Sequence, residues 1–147
     1  MEILHATADD LPEILALQKL AYQSEAMIYN DFDIAPLTQT PEELEEEFNR
    51  STILNAVDDG RIVGSVRAYE RDGTCHIGRL IVHPDRQNQG MGRKLVDAIE
   101  ECFRGRRYEL FTGCLSVKNL AFYEKLGYRK YKTDKIDDKL ELVYLEK

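Results

Sequence analysis

The chain lacks any apolar run near the ~20 residues that a membrane-crossing helix needs. Its start, Met1-Glu2-Ile3-Leu4-His5, lacks the basic region and apolar core of a signal peptide. These absences predict a cytoplasmic location and no membrane partner. Positive charge is also short, with Lys+Arg 20 against Asp+Glu 27 and a net charge of −7. A general nucleic-acid binder, whose affinity comes from clustered positive charge, is therefore excluded. Cysteines are few and odd in number (Cys75, Cys102, Cys114) and have no metal-ligand spacing, so they read as reduced thiols. His5, His76 and His83 form no HExxH or i,i+4 pair, which argues against a metal. No repeat, low-complexity tract or linker marks a second domain. The 147 residues fit one domain, 1–147, large enough to bury roughly two-thirds of its unfolded surface without a staple.

What is present is a clear sequence of elements. Glu2 to Ala6 reads as a strand. Thr7, Asp10 and Pro12 then start a helix whose apolar face (Leu11, Ile14, Leu15, Ala21, Tyr22) runs to about Ser24. Met27 to Thr38 has no period and is expected to be a loop. Thr40-Pro41-Glu42-Glu43 starts a second helix, which makes the acidic run Glu42 to Glu47 a solvated face. Thr52 to Val57, Arg61 to Glu70 and Thr74 to Val82 are strand-like and separated by Asp59-Gly60 and Asp72-Gly73, which predicts an antiparallel meander. Gly90 to Phe103 is helical in spacing, with Gly105 after it, and Asn119 to Leu126 is a helix ending at Gly127. Tyr108 to Thr112, Tyr128 to Lys132 and Lys139 to Leu145 are strands. The order β-α-α-β-β-β-α-β-α-β-β predicts an α/β fold: one mixed, mostly antiparallel sheet with helices on both faces.

The informative stretch follows the meander: Leu80-Ile81-Val82-His83-Pro84, then Gln87-Asn88-Gln89-Gly90-Met91-Gly92-Arg93-Lys94. A buried strand turns into a helix with two glycines at its start. Glycines let a chain turn tightly and bring backbone N–H groups close to a bound group. The unpaired amides and the positive end of the helix favour an anion such as phosphate, with Arg93 and Lys94 beside it. The P-loop spacing GxxxxGK[ST] is absent, and GxGxxG fails because its third position is Leu95. Q/R-x-x-G-x-G/A matches, although on the hexapeptide alone a helix start that simply needs glycine competes evenly.

In its wider context the chain resembles the GNAT superfamily of acyl-CoA-dependent N-acetyltransferases over nearly its whole length. Val82-His83-Pro84 matches the V-x-P after that family's fourth strand. Asn119, Tyr123, Gly127 and Tyr128 match its last helix and the turn behind it. Asn88 departs from the pattern, since many members carry Gly there. The resemblance implies the GNAT fold, with strands splayed at the cofactor site, and acetyl transfer from acetyl-CoA to a primary amine in a ternary complex. The alternative is a non-catalytic acyl-CoA-binding or sensing module.

By this resemblance, the amides of Gln89 through Lys94 cradle the CoA pyrophosphate, within a cofactor-binding stretch that begins at Gln87 and Asn88. Backbone groups at Ile81 and Val82 pair with pantetheine by strand addition. Asn119 either bonds pantetheine or braces its helix. The Leu80 N–H points at the thioester carbonyl and stabilises the developing oxyanion. Tyr123 takes the place of the general acid for the leaving thiolate, its competing role being a packed tyrosine. A phenol near pKa 10 and a thiol near 8.5 are close enough for transfer, and nearby backbone donors are expected to lower the phenol further. Strand alternation predicts that positions 74, 76, 78, 80 and 82 share one face. Some family members carry a glutamate base where His76 stands, and an unperturbed His, pKa about 6.5, suits a base near neutral pH. Glu70 and a water relay are rivals. The first helices and their loop are expected to choose the substrate, and Tyr22, Glu25, Tyr29, Asp31 and Asp33 offer an aromatic, acidic surround that suits either a cationic amine or plain solvent. The acceptor is a small-molecule amine, a peptide N-terminus or a lysine. No metal is implied, and dimerisation is common enough in the family to keep a homodimer among the expectations.

Overall fold

The computed structural model describes residues 1–147. A 7-stranded sheet runs in the order β1-β2-β3-β4-β5-β7-β6. The first four strands, β1 (Glu2–His5), β2 (Thr52–Asp58), β3 (Arg61–Arg71) and β4 (Thr74–Val82), are antiparallel neighbours, as the meander reading requires. Both hairpins turn on consecutive left-handed residues, Asp59 (φ 51°) with Gly60 (φ 74°) and Asp72 (φ 52°) with Gly73 (φ 80°). That backbone twist matches the twist of the flanking strands. β5 (Arg107–Gly113) joins β4 in the sheet's one parallel pairing. β7 (Glu141–Glu146) inserts between β5 and β6 (Arg129–Lys135).

Helices cover both faces. On one, α5 (Met91–Cys102) buries Met91, Leu95, Val96 and Ile99, a single helical stripe, against Leu54, Val66, Cys75 and Ile77 of the sheet. On the other, α1 (Leu11–Ala21) and α4 (Pro41–Arg50) bury Ile14 and Leu44 against Ile53, Ile62 and Ile81. α4 starts as its sequence predicts: the Glu43 N–H donates to Thr40 Oγ1 at 3.2 Å and the Thr40 N–H to Glu43 Oε1 at 2.8 Å. α6 (Val117–Lys125) packs Leu120, Phe122 and Tyr123 against the α5 side. No helix is long and apolar enough to cross a membrane.

Several boundaries differ from expectation. α1 stops at Ala21, and the expected loop 27–38 instead holds the end of α2 (Gln23–Tyr29) and a single turn, α3 (Ala35–Thr38). α2 buries only Ala26 and Tyr29 and leaves Met27 and Ile28 exposed, so it shows too little periodicity to be seen. Asn30 ends it in the left-handed conformation, φ 48°. The last two strands also begin one or two residues later than predicted.

Candidate active site

β4 and β5 pair only at Thr74–Arg107, Cys75–Tyr108 and His76–Glu109. Beyond that rung β4 stays with β3 and β5 stays with β7, so the two strands part. A cavity of ≈ 420 Å³ fills the opening. Gly78 through Val82 wall one side and Leu110 through Gly113 the other, while Tyr22, Glu25 and Tyr29 of α1 and α2 meet Asn119, Phe122 and Tyr123 of α6 across it.

The wall on the β4 side is bulged. Ser65 pairs with Ile81 while Arg67 pairs with Gly78, so β4 carries one residue more than β3 between those rungs. Arg79, at φ 50°, is the residue that absorbs the turn. The bulge overturns the expected shared face. Cys75 and Ile77 pack on the α5 side, but after the bulge it is Leu80 and Val82 that do so, while Ile81 packs against α1 and α4. His76 therefore does not share a face with Leu80. Neither Arg79 nor Leu80 has a rung in the β3–β4 or β4–β5 register, which leaves this stretch of backbone facing the opening.

The glycine turn lies beside the same cavity. Gln87 through Gly90 are exposed, Gln87 lines the opening, and its amide donates to the Val82 carbonyl at 3.4 Å. Gly90 starts α5 at φ 80°, a left-handed conformation that glycine adopts without strain. Asn88 also sits at positive φ, 64°, which explains how Asn replaces Gly there. Gly92 also serves a packing need. A Cβ on it would lie 3.2 Å from Phe122 Cζ, so its smallness lets α5 approach α6. Arg93 and Lys94 are exposed, and Met91 is buried in the core.

Across the cavity, Glu25 joins α2 to α6. Its carboxylate accepts from Ser116 Oγ at 2.6 Å and from Asn119 Nδ2 at 2.8 Å, and Asn119 Nδ2 also reaches Thr112 Oγ1 at 3.3 Å. Asn119 thus braces its helix in this state. Tyr29 extends the network, its hydroxyl 2.7 Å from Ser116 Oγ and accepting from the Leu115 N–H at 3.0 Å. Tyr123 lines the cavity. Burial pushes its phenol well above the ordinary range, and the charges of Tyr22 and Glu25 add to the rise. This corrects the expectation of a lowered phenol: no backbone donor acts on it.

His76 lines a second cavity, of ≈ 440 Å³, on the α4 face. It stacks on Tyr69 with ring centroids 5.0 Å apart, and its Nδ1 is 3.6 Å from Glu109 Oε2. Glu70 lines neither cavity and pairs with Arg106. The two cavities share Ile77, Gly78, Arg79, Leu110 and Phe111, the residues at the parting of the strands. Sequence reasoning missed Arg67 and Arg79. Arg67 is 5% exposed, in the buried run Ile62 to Ala68 of β3, and is held by Glu47 and Gln18. Its alternation with Val66 and Ala68 is that of a solvated strand residue, so no local signal marks its burial.

A model of the acetyltransferase (GNAT) family matches residues 13–128. Among curated relatives, the chain is 36% identical over 76 residues to the probable N-acetyltransferase 14 of Danio rerio, covering 48% of this chain and 27% of that one. It is 40% identical over 57 residues to the glucosamine 6-phosphate N-acetyltransferase of Schizosaccharomyces pombe, covering 37% and 50%. The chain spans about half or less of the length of these relatives. The fold is that of smu.2055 from Streptococcus mutans (TM-score 0.85, 15% identity, 100% and 98% covered). It is also that of the ribosomal-protein-S18-alanine N-acetyltransferase of Escherichia coli (0.80, 16%, 99% and 91%) and of the PaiA N-acetyltransferase of Thermoplasma acidophilum, solved with coenzyme A (0.79, 16%, 97% and 96%). With most of its length matched by the family model and its sheet opened at the glycine turn, this chain belongs to the GNAT acetyltransferase family.

Proposed function

We propose that residues 1–147 act as one domain that moves an acetyl group from acetyl-CoA to an amine, with both substrates bound together. The observation that carries this reading is the parting of β4 and β5 beside a helix that starts on left-handed Gly90. The residues present fit acetyl-CoA. The backbone at exposed Gln87 through Gly90, followed by the first-turn amides of Met91 through Arg93, suits a pyrophosphate, while the Lys94 N–H is already donated to the Gly90 carbonyl at 3.2 Å; the helix end and the Arg93 and Lys94 charges add attraction. The opened edge at Ile81 and Val82 suits the amides of pantetheine, and Asn119 offers its side-chain carbonyl to the same arm. When bound, acetyl-CoA supplies an activated acyl thioester.

The chain's own residues then do three things. The Leu80 N–H, at a bulge position without a rung to either neighbouring strand, stabilises negative charge on the carbonyl oxygen. Tyr123, held protonated by burial, gives its proton to the departing sulfur. His76, on the acceptor side of the opening, takes the proton from the attacking amine. One relative is named for acetylating a small amino sugar phosphate and one structural neighbour for acetylating a protein alanine, so a small amine and a peptide N-terminus or lysine are both acceptors to test. The test is calorimetric titration with acetyl-CoA alongside thiol release on a panel of amines. Binding with amine-dependent release is expected. Binding without release on any amine would make the chain an acyl-CoA-binding module, and absence of binding would overturn the reading.

A further inference from the structure

The chain as a whole is negative, −7, yet the second cavity is not. Its lining holds Arg50, Arg67, Arg79 and Lys132 against two carboxylates, Glu47 and Glu109. Both carboxylates are already engaged: Glu47 binds Arg67, and Glu109 binds Arg107 at 2.9 Å and the Tyr131 hydroxyl at 2.5 Å. Arg79 has no carboxylate within ion-pairing distance, and its Nε is buried without a hydrogen-bond partner. The same is true of the Nε of Arg67, a side chain that is otherwise nine-tenths buried and charge-paired. A buried guanidinium donor without an acceptor is costly, and two of them side by side, each raising the other's potential, are costlier. Burial and the Arg79 charge both push Arg67 below the usual guanidinium range. The position is specific too, because Arg79 sits at the strained bulge and lines both cavities where the strands part.

We propose that Arg79, backed by Arg67, binds an oxyanion carried by the acceptor, so that the substrate is an amine bearing a carboxylate or a phosphate group. This rests on the acetyl-transfer reading for the word acceptor, but the anion site itself does not. The planar guanidinium fork matches either oxyanion. Of the four carboxylates lining the first cavity, Glu25 is committed to Ser116 and Asn119, Asp31 to the backbone of Asp33, and Asp137 to the backbone of Lys139 and Leu140. An oxyanion on Arg79 would leave the amine of a small molecule at the parting of the strands, within the space that both cavities share.

The experiment uses the full chain and compares matched amines by calorimetry on protein saturated with CoA and by acetyl transfer with acetyl-CoA as donor. One arm pairs α-amino acids with their decarboxylated amines; the other pairs glucosamine 6-phosphate with glucosamine. The anionic member of at least one arm is expected to bind roughly ten- to a hundredfold more tightly than its neutral partner. Arg79→Gln should abolish that preference while leaving CoA affinity unchanged, and Arg79→Lys should restore part of it. The arm that shows the preference identifies the oxyanion. Arg79-dependent binding without turnover sustains the anion site and sinks the transfer reading instead. Equal binding within both pairs, or an Arg79→Gln effect confined to CoA, overturns the proposal.

Discussion

Gly113→Ala isolates the contact that ties the first helices to the β5 wall of the cavity. Gly113 is the last residue of β5 and its φ is ordinary, so alanine meets no backbone strain there. Space is the whole problem. A Cβ would overlap the Tyr29 hydroxyl and Cζ and lie 3.1 Å from Cε1. Tyr29 is only 6% exposed and cannot swing aside cheaply, because its hydroxyl holds Ser116 and the Leu115 N–H. Overpacking a tight site costs roughly 1–3 kcal/mol, and each of those hydrogen bonds is worth about 1 kcal/mol. The expected loss is about 3 kcal/mol, or roughly 6–12 °C in Tm for a domain of this size. Urea unfolding of the wild type, Gly113→Ala, Tyr29→Leu and the double variant closes a cycle. In the Tyr29→Leu background the glycine substitution should become nearly free, since the ring it strikes is gone. An equal cost in both backgrounds would refute the steric argument, and a wild-type midpoint for Gly113→Ala would refute the contact.

Tyr123→Phe keeps the ring and removes the proton, so kcat should fall on the order of 10²-fold with acetyl-CoA affinity unchanged; a normal kcat would make Tyr123 a packing residue. His76→Ala should remove the acidic limb of the kcat/KM profile without touching acetyl-CoA binding, and a limb that persists at the same pH would place proton acceptance elsewhere. Stability should fall at alkaline pH, because burial pushes the Cys75 thiol up to about 12 and raises the Tyr123 and Tyr128 phenols. The unfolded chain loses these protons from roughly pH 8.5 to 10 while the folded chain keeps them, so the stabilisation is full below that window and declines as pH rises through it. Cys75 alone should cost on the order of 1 kcal/mol by pH 10, read from urea midpoints at pH 7.5 and 10; flat stability over that range would contradict the buried assignment.

Much of this arrangement is legible in the chain because local chemistry and fold agree. Asp-Gly turns, a Thr-Pro-Glu-Glu helix start and the Gln87 to Gly92 run each specify their own backbone, and the structure has them where they stand. What stays hidden depends on distant partners. Tyr29 is buried only because Gly113, 84 positions on, leaves room for its ring. The alternation of Ser65, Arg67 and Tyr69 with Val66 and Ala68 has the pattern of a half-solvated strand. Here α1 and α4 cover that polar face with Gln18 and Glu47, which turns a surface arginine into a buried one. Neither fact is contained in any window of neighbouring residues.

The bulge in β4 shows why one unheralded residue matters more than the rest. Without it, strict alternation would set Leu80 on the same face as His76, opposite Cys75 and Ile77, and the strand would present one continuous surface to each layer of helices. With it, β4 changes faces at Arg79. The half that pairs with β5 points His76 toward the α4 cavity, and the half that has left β5 packs Leu80 and Val82 toward α5 and α6. The left-handed backbone at a non-glycine residue costs roughly 1–2 kcal/mol. That cost frees a backbone rung at the point where the strands separate, which no regular strand between two partners could do. It also turns an arginine into the space shared by both cavities. A glycine at position 79 would remove the strain and the cation together. The arginine at the strained position is therefore what joins the geometry of the opening to its charge.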